Sequence, residues 1–244
     1  KPVLYLDIGP MQENNYTGIP AVTAALANQM LDDAALDARF FWDRYEIPAE
    51  AVRAMLRSRD GRYFRYQVRS GNHTLRMLKP RHDEAIALYP NVKGVRGVFR
   101  REAQIVHDFS TLLFPETHHP DTIRHHALTF LRDLHSNEVT FCVSEATRTD
   151  LLSYFEIDPD TVHTVLNGVD EPILQAGDAP LIQESYVAVL GTLEPRKNLV
   201  QLVRAFARLR GGSGPGAASS PGTRRRRTRS SGGSSSSSRG TSST

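Results

Sequence analysis

The chain has 244 residues, with 30 Lys or Arg, 27 Asp or Glu and a single Cys; one cysteine excludes an internal disulfide, and no apolar run approaches the roughly 18 residues of a membrane span. The last 34 residues, 211–244, hold 12 Ser, 8 Gly, 6 Arg and no acid, so residues 1–210 carry 24 bases against 27 acids, a net charge of −3. The basic balance of the whole chain therefore belongs to its tail, and no nucleic-acid partner is expected for the remainder.

From the N-terminus, Val3, Leu4, Tyr5, Leu6, Asp7 and Ile8 form a short, mainly apolar run ended by Gly9 and Pro10, which predicts a buried strand. After a polar loop, Ile19, Val22, Leu26 and Met30 recur on one helical face, with Pro20 suited to the first turn. Residues 38–42 predict a strand and 48–56 a helix. Residues 57–100 mix arginines with aromatics, as in Arg62, Tyr63, Phe64, Arg65 and Tyr66, without a clear period. An irregular helical segment with its arginines in solvent is expected there, and no function is drawn from it.

Residues 103–106 predict a strand running into His107 and Asp108. Pro120 opens a predicted helix whose Ile123, Ala127, Phe130, Leu131 and Leu134 share a face. Residues 139–143 predict a strand, Ser144 an N-cap, 145–155 a helix and 161–166 a further strand, closed by Asn167 and Gly168. Such alternation predicts an α/β sheet covered by helices on both faces, a Rossmann-like domain over residues 1–169. Residues 170–185, with Pro172, Gly177 and Pro180, read as a linker. Residues 186–191 predict a new strand, and Leu199, Leu202, Val203, Phe206 and Leu209 an amphipathic helix. One strand and one helix cannot make a sheet core, so residues 186–210 are expected to be the start of an incomplete second domain. The composition of 211–244 predicts a disordered tail. Its run Arg224, Arg225, Arg226 and Arg227, beside polyserine, is read as carrying no selected function. The lone cysteine, the lack of a signal peptide and the lack of a membrane-spanning run together predict a soluble cytoplasmic protein. Its start, Lys1 rather than Met, is expected to be processed or missing.

The most specific motif is Gly191, Thr192, Leu193, Glu194, Pro195, Arg196, Lys197, Asn198 and Leu199. It places Arg196 and Lys197 at a helix start, where cations oppose the helix dipole unless an anion sits between them and the free amides. Two solvated surface charges are the alternative. With residues 143–151 and 166–170 before it, this motif resembles the family-four retaining glycosyltransferases of GT-B architecture. Those enzymes have two Rossmann-like domains facing a cleft, and the likeness extends over residues 1–210.

The resemblance implies that Arg196 and Lys197 grip the diphosphate of a nucleotide diphosphate sugar, stabilising it as a leaving group. It assigns His107, at the end of a strand, to sugar recognition or transition-state contact. Asp108 would orient His107 or cap the next segment. Gly18 would let loop amides approach a phosphate or sugar, or would simply serve the entry turn of the helix. The resemblance implies transfer of a hexose, with GDP-mannose the leading donor, to a glycan or lipid-linked acceptor with retention, and no cofactor or metal. It is compatible with peripheral association at the inner face of the membrane. The family's acidic motif in the second domain has no counterpart here, since 211–244 contain no glutamate. Little or no activity is therefore expected of this chain, and a non-catalytic binding module derived from such an enzyme is the alternative. Six of the nine histidines lie between His107 and His135, including His118, His119, His125 and His126, but their spacing does not match a zinc motif. The absence of GxSxG, P-loop and GxGxxG motifs disfavours a serine hydrolase, a P-loop NTPase and a standard dehydrogenase.

Overall fold

Neighbouring residues of the first strand face opposite cores. In β1 (Val3–Asp7), Leu4 and Leu6, followed by Ile8, join one apolar cluster, and Val3 and Tyr5 join another. In β2 (Asp37–Trp42), Phe40 and Phe41 divide in the same way, as expected of strands buried on both faces. The further strands are β3 (Tyr45–Ile47), β4 (Arg76–Met77), β5 (His82–Tyr89), β6 (Phe99–Val106), β7 (Val139–Cys142) and β8 (Val162–Thr164). All eight form one sheet in the order β4-β3-β2-β1-β5-β6-β7-β8. Only the β2–β3 and β3–β4 pairs are antiparallel; the others are parallel. The fold is Rossmann-like α/β.

The computed structural model describes residues 1–14, 16, 18–69, 76–78, 82–169, 186–191 and 193–211. The linker expected at 170–185 lies outside these residues, as does the tail beyond Gly211. Two units separate, Lys1–Val189 and the part from Leu190 onward. Among the described residues, no helix is long and apolar enough to cross a membrane.

One sheet face is covered by α1 (Ile19–Asp32), α2 (Ala49–Ser58) and Phe64 of α3 (Gly61–Arg69). The buried face of α1 is not the expected one. Pro20, Thr23, Ala24, Ala27 and Met30 turn inward, while Ile19, Val22 and Leu26 are half-buried. Small residues let the helix approach the sheet closely, and Thr23 satisfies its hydroxyl by donating to the Ile19 carbonyl, 2.9 Å away.

The opposite face carries α4 (Ser110–Leu113), α5 (Pro120–Ala127), α6 (Phe130–His135) and α7 (Glu145–Tyr154) among its crossover elements. Phe130 and Leu134 of α6 and Leu151 of α7 pack with Val106, Cys142 and Val162. The single helix expected after Pro120 is two: α5 buries no residue, and the chain breaks at Leu128 and Thr129. The break has a polar cause. The Thr129 hydroxyl donates to Asp133 Oδ2 at 3.1 Å, and Asp133 is buried against Arg96, so α6 is rotated to bury a carboxylate that the apolar stripe left outside. Ser144 caps α7 as expected, accepting from the Thr147 amide at 3.1 Å.

Residues 90–98 return the chain from β5 to the parallel β6 without a helix, whereas such a crossover usually contains one. Val95 and Val98 fill the second core cluster, and buried polar groups of β6 meet the rest of the segment. Lys93 Nζ reaches Glu102 Oε2 at 2.5 Å and Ser136 Oγ at 2.8 Å. Gln104 Nε2 donates to the Asn91 carbonyl at 3.1 Å.

From Leu190 onward there is a 3-10 turn, Pro195–Lys197, and a helix, Leu199–Gly211. Residues 186–191, expected as a strand, pair with no other described strand. A strand needs a ladder partner, and none of the described residues supplies one. Leu202, Val203 and Leu209 of the expected apolar stripe are exposed.

Candidate functional site

The strand order reverses at β1: the chain passes first to β2 on one side and later to β5 on the other. Crevices beyond the carboxyl ends of strands at such a switch are the ligand sites of open α/β sheets. Asp7, Gly18 and His107 all follow from, or lie at, the carboxyl ends of strands at this edge.

Asp7 ends β1 and is 6% exposed. Its Oδ1 accepts from the Gly9 amide at 2.8 Å. A Cβ at Gly9 would stand 3.0 Å from that oxygen and 3.3 Å from Trp42 Cδ1, so a larger residue there would have to push the Asp7 or Trp42 side chain aside. Burial pushes the Asp7 carboxyl up to about 7, the Gly9 amide opposing and nearby Asp43 assisting. Asp7 was expected only as a member of the apolar run of the first strand. A lone carboxylate inside such a run, just before Gly-Pro, was the available signal.

Gly18 is the N-cap of α1, with φ +60° and ψ −123°. Nothing lies within 4 Å of the position a Cβ would take, so the demand for glycine is one of backbone conformation. Gly18→Ala is expected to cost about 1–3 kcal/mol, measured by urea denaturation; wild-type stability would remove that account of the turn.

His107 follows β6 and is half-buried. Its backbone carbonyl accepts from the Thr147 hydroxyl at 3.1 Å, and its ring Nε2 lies 2.9 Å from the Pro90 carbonyl. Burial lowers its pKa, with the Pro90 carbonyl and Asp108 pulling the other way. A carbonyl oxygen only accepts, so Nε2 carries the proton, and the neutral ring offers Nδ1 as an acceptor for a hydroxyl. Asp108 Oδ1 accepts from the Ser110 amide at 2.9 Å and the Ser110 hydroxyl at 2.7 Å, so it caps the next segment. His126 on α5 has its pKa lowered by burial and by His125, with Asp108 opposing and His118 and His107 lowering it further. The His125 and His126 rings stand 5.6 Å apart, edge to face. Among the described residues, no three His, Cys, Asp or Glu side chains converge to hold a metal ion.

Arg196 and Lys197 belong to the second unit. They were expected in the first turn of a helix, but they lie in the 3-10 turn before it. Asn198, left-handed at φ +49°, separates that turn from the helix and accepts the Leu202 amide at 3.2 Å. Pro195 tightens the turn, and asparagine tolerates the left-handed conformation better than most residues. Arg196 Nε contacts Glu194 Oε2 at 2.6 Å, and Lys197 is exposed.

No family model matches the chain. It is similar to the O-antigen chain mannosyltransferase B of Escherichia coli, with 26% identity over 118 residues. The match covers 45% of this chain and 31% of that protein, so it spans about a third of the relative's length.

Proposed function

We propose that the chain is part of a retaining glycosyltransferase of GT-B architecture. It would move a hexose from a nucleotide diphosphate sugar, GDP-mannose foremost, to a glycan or lipid-linked acceptor. The observation that carries this reading is the likeness to the O-antigen mannosyltransferase. The position of His107 at the switch edge agrees with it, because a neutral imidazole with an accepting nitrogen suits a sugar hydroxyl.

In this reading the domain 1–169 serves the acceptor side, and residues 186–210 begin the donor domain. Cleavage of the sugar–phosphate bond leaves negative charge on the diphosphate, and Arg196 and Lys197 stabilise it more in the transition state than before it. The glycan acceptor meets the first domain, and association with a membrane surface would be peripheral.

The test is a transfer assay on the protein completed through its second domain, with GDP-mannose or UDP-glucose and a mannose-terminated acceptor. Transfer with retained anomeric configuration is expected. Acceptor binding without transfer from either donor would favour a non-catalytic module, and neither binding nor transfer would overturn the reading. In the completed enzyme, Arg196→Ala and Lys197→Ala are each expected to lower kcat/KM by about tenfold or more, with Tm nearly unchanged. Full activity of both variants at limiting donor would return the pair to two solvated charges.

A further inference from the structure

The contacts of residues 90–98 step backward along β6 as the segment advances. Pro90 meets His107, Asn91 meets Gln104, and Lys93 meets Glu102. Side chains of β6, rather than a backbone ladder, therefore set the register of this crossover. Its anchor is Lys93, whose side chain is fully buried against a Glu102 side chain that is 5% exposed. The ammonium also lies 5.1 Å from the centre of the Tyr89 ring. Arg96 clamps the far end, reaching Asp133 Oδ1 at 2.5 Å and also contacting Thr129. The same segment passes Asp7, since a Cβ at Gly94 would stand 4.0 Å from Asp7 Oδ2.

We propose that Lys93 is a positioning residue for His107: by locking residues 90–98 onto Glu102 it holds the Pro90 carbonyl where it keeps the ring proton on Nε2 and turns Nδ1 outward. A buried ion pair is poor support for stability, because apolar side chains of similar volume hold a core at least as well. What such a pair adds is directional: one ammonium position satisfies Glu102, Ser136 and the Tyr89 face together, and a slip of one residue would satisfy none of them. Two side chains at the ligand edge, Asp7 and His107, therefore share a wall whose register is set by a lysine distant in sequence from both. The inference deepens the reading of His107 as a sugar contact and takes its functional meaning from that reading. Its test observes the ring itself, so the two can fail separately.

The experiment is NMR of the ¹⁵N-labelled full chain, with the His107 ring signals assigned by their loss in His107→Gln. In the wild type, the Nε2-bound proton is expected to be visible and protected from exchange. In Lys93→Met that proton should exchange about tenfold faster, the worth of one net hydrogen bond, while amides of β1 and β7 stay protected. Lys93→Met alone leaves a buried acid, so Lys93→Met/Glu102→Leu is the deciding variant. It should recover stability yet still exchange the ring proton about tenfold faster than the wild type. Wild-type protection of the ring in that double variant would overturn the proposal, as would a wild-type ring protonated on Nδ1. A double variant that fails to fold would also count against it, because the pair would then serve folding and not register.

Discussion

Lys93→Met is expected to destabilise the protein by about 3–5 kcal/mol, whereas Lys93→Met/Glu102→Leu should return to within about 2 kcal/mol of the wild type or exceed it. The asymmetry follows from what each change leaves behind. Burial lowers the Lys93 pKa, and the hydrogen bond and charge of Glu102 oppose that shift, so the ammonium is tolerated because the carboxylate faces it at 2.5 Å. Removing the lysine alone leaves Glu102 in a site built to exclude water, with the Ser136 hydroxyl as a neighbour at 3.3 Å. An unpaired buried charge costs more than the pair contributed. Urea denaturation at pH 7 with both variants decides the matter. A loss below about 1 kcal/mol in the single variant would mean that water reaches Glu102, and that residues 90–98 are less tightly held than the contacts indicate.

Asp7→Asn is expected to stabilise the protein at pH 8 and to have little effect near pH 4. The folded carboxyl is pushed up to about 7 from an ordinary value of 3.8. Below about pH 4, aspartate is protonated in both folded and unfolded chains, and its full contribution is present. As pH rises toward 7, the unfolded chain ionises while the folded one holds its proton, so stability falls by up to about 4 kcal/mol and then levels off. Asparagine is neutral throughout and can still accept from the Gly9 amide, so this slope should vanish in the variant. Denaturation at pH 4, 6 and 8 tests the sign directly. Parallel curves for the two proteins would show that water reaches the Asp7 carboxylate.

Elements with a strong local signal were legible from residues alone. β1, β2, β7, α1, α2 and α7 announce themselves by apolar periodicity and by Pro20, Pro48 and Ser144 at their starts, and the α/β class follows from their alternation. Arg196 and Lys197 stood out in a motif carried on consecutive residues, 191–199, whereas His107 was named only through the family resemblance. Residues 57–100 were illegible for a physical reason. β5, a central strand paired with β1 and β6, is written with Ala85, Ile86, Ala87 and Leu88, as suited to a helix as to a strand. Neighbouring strands, not local propensity, make it a strand. β3 has three residues and exists because Asp43 adopts φ +52° and turns the chain back onto β2.

Residues by themselves determined the fold class and the placing of the strands and helices with strong local signals, such as β1, β7 and α7. Only the tertiary structure decided that the strand order reverses at β1 and that Asp7 is buried there. It alone brought the Pro90 carbonyl to the His107 ring and Lys93 to Glu102. Each of these depends on groups far apart in the chain sharing one dry volume. Desolvation and long-range pairing are properties of that volume, and no window of consecutive residues contains them.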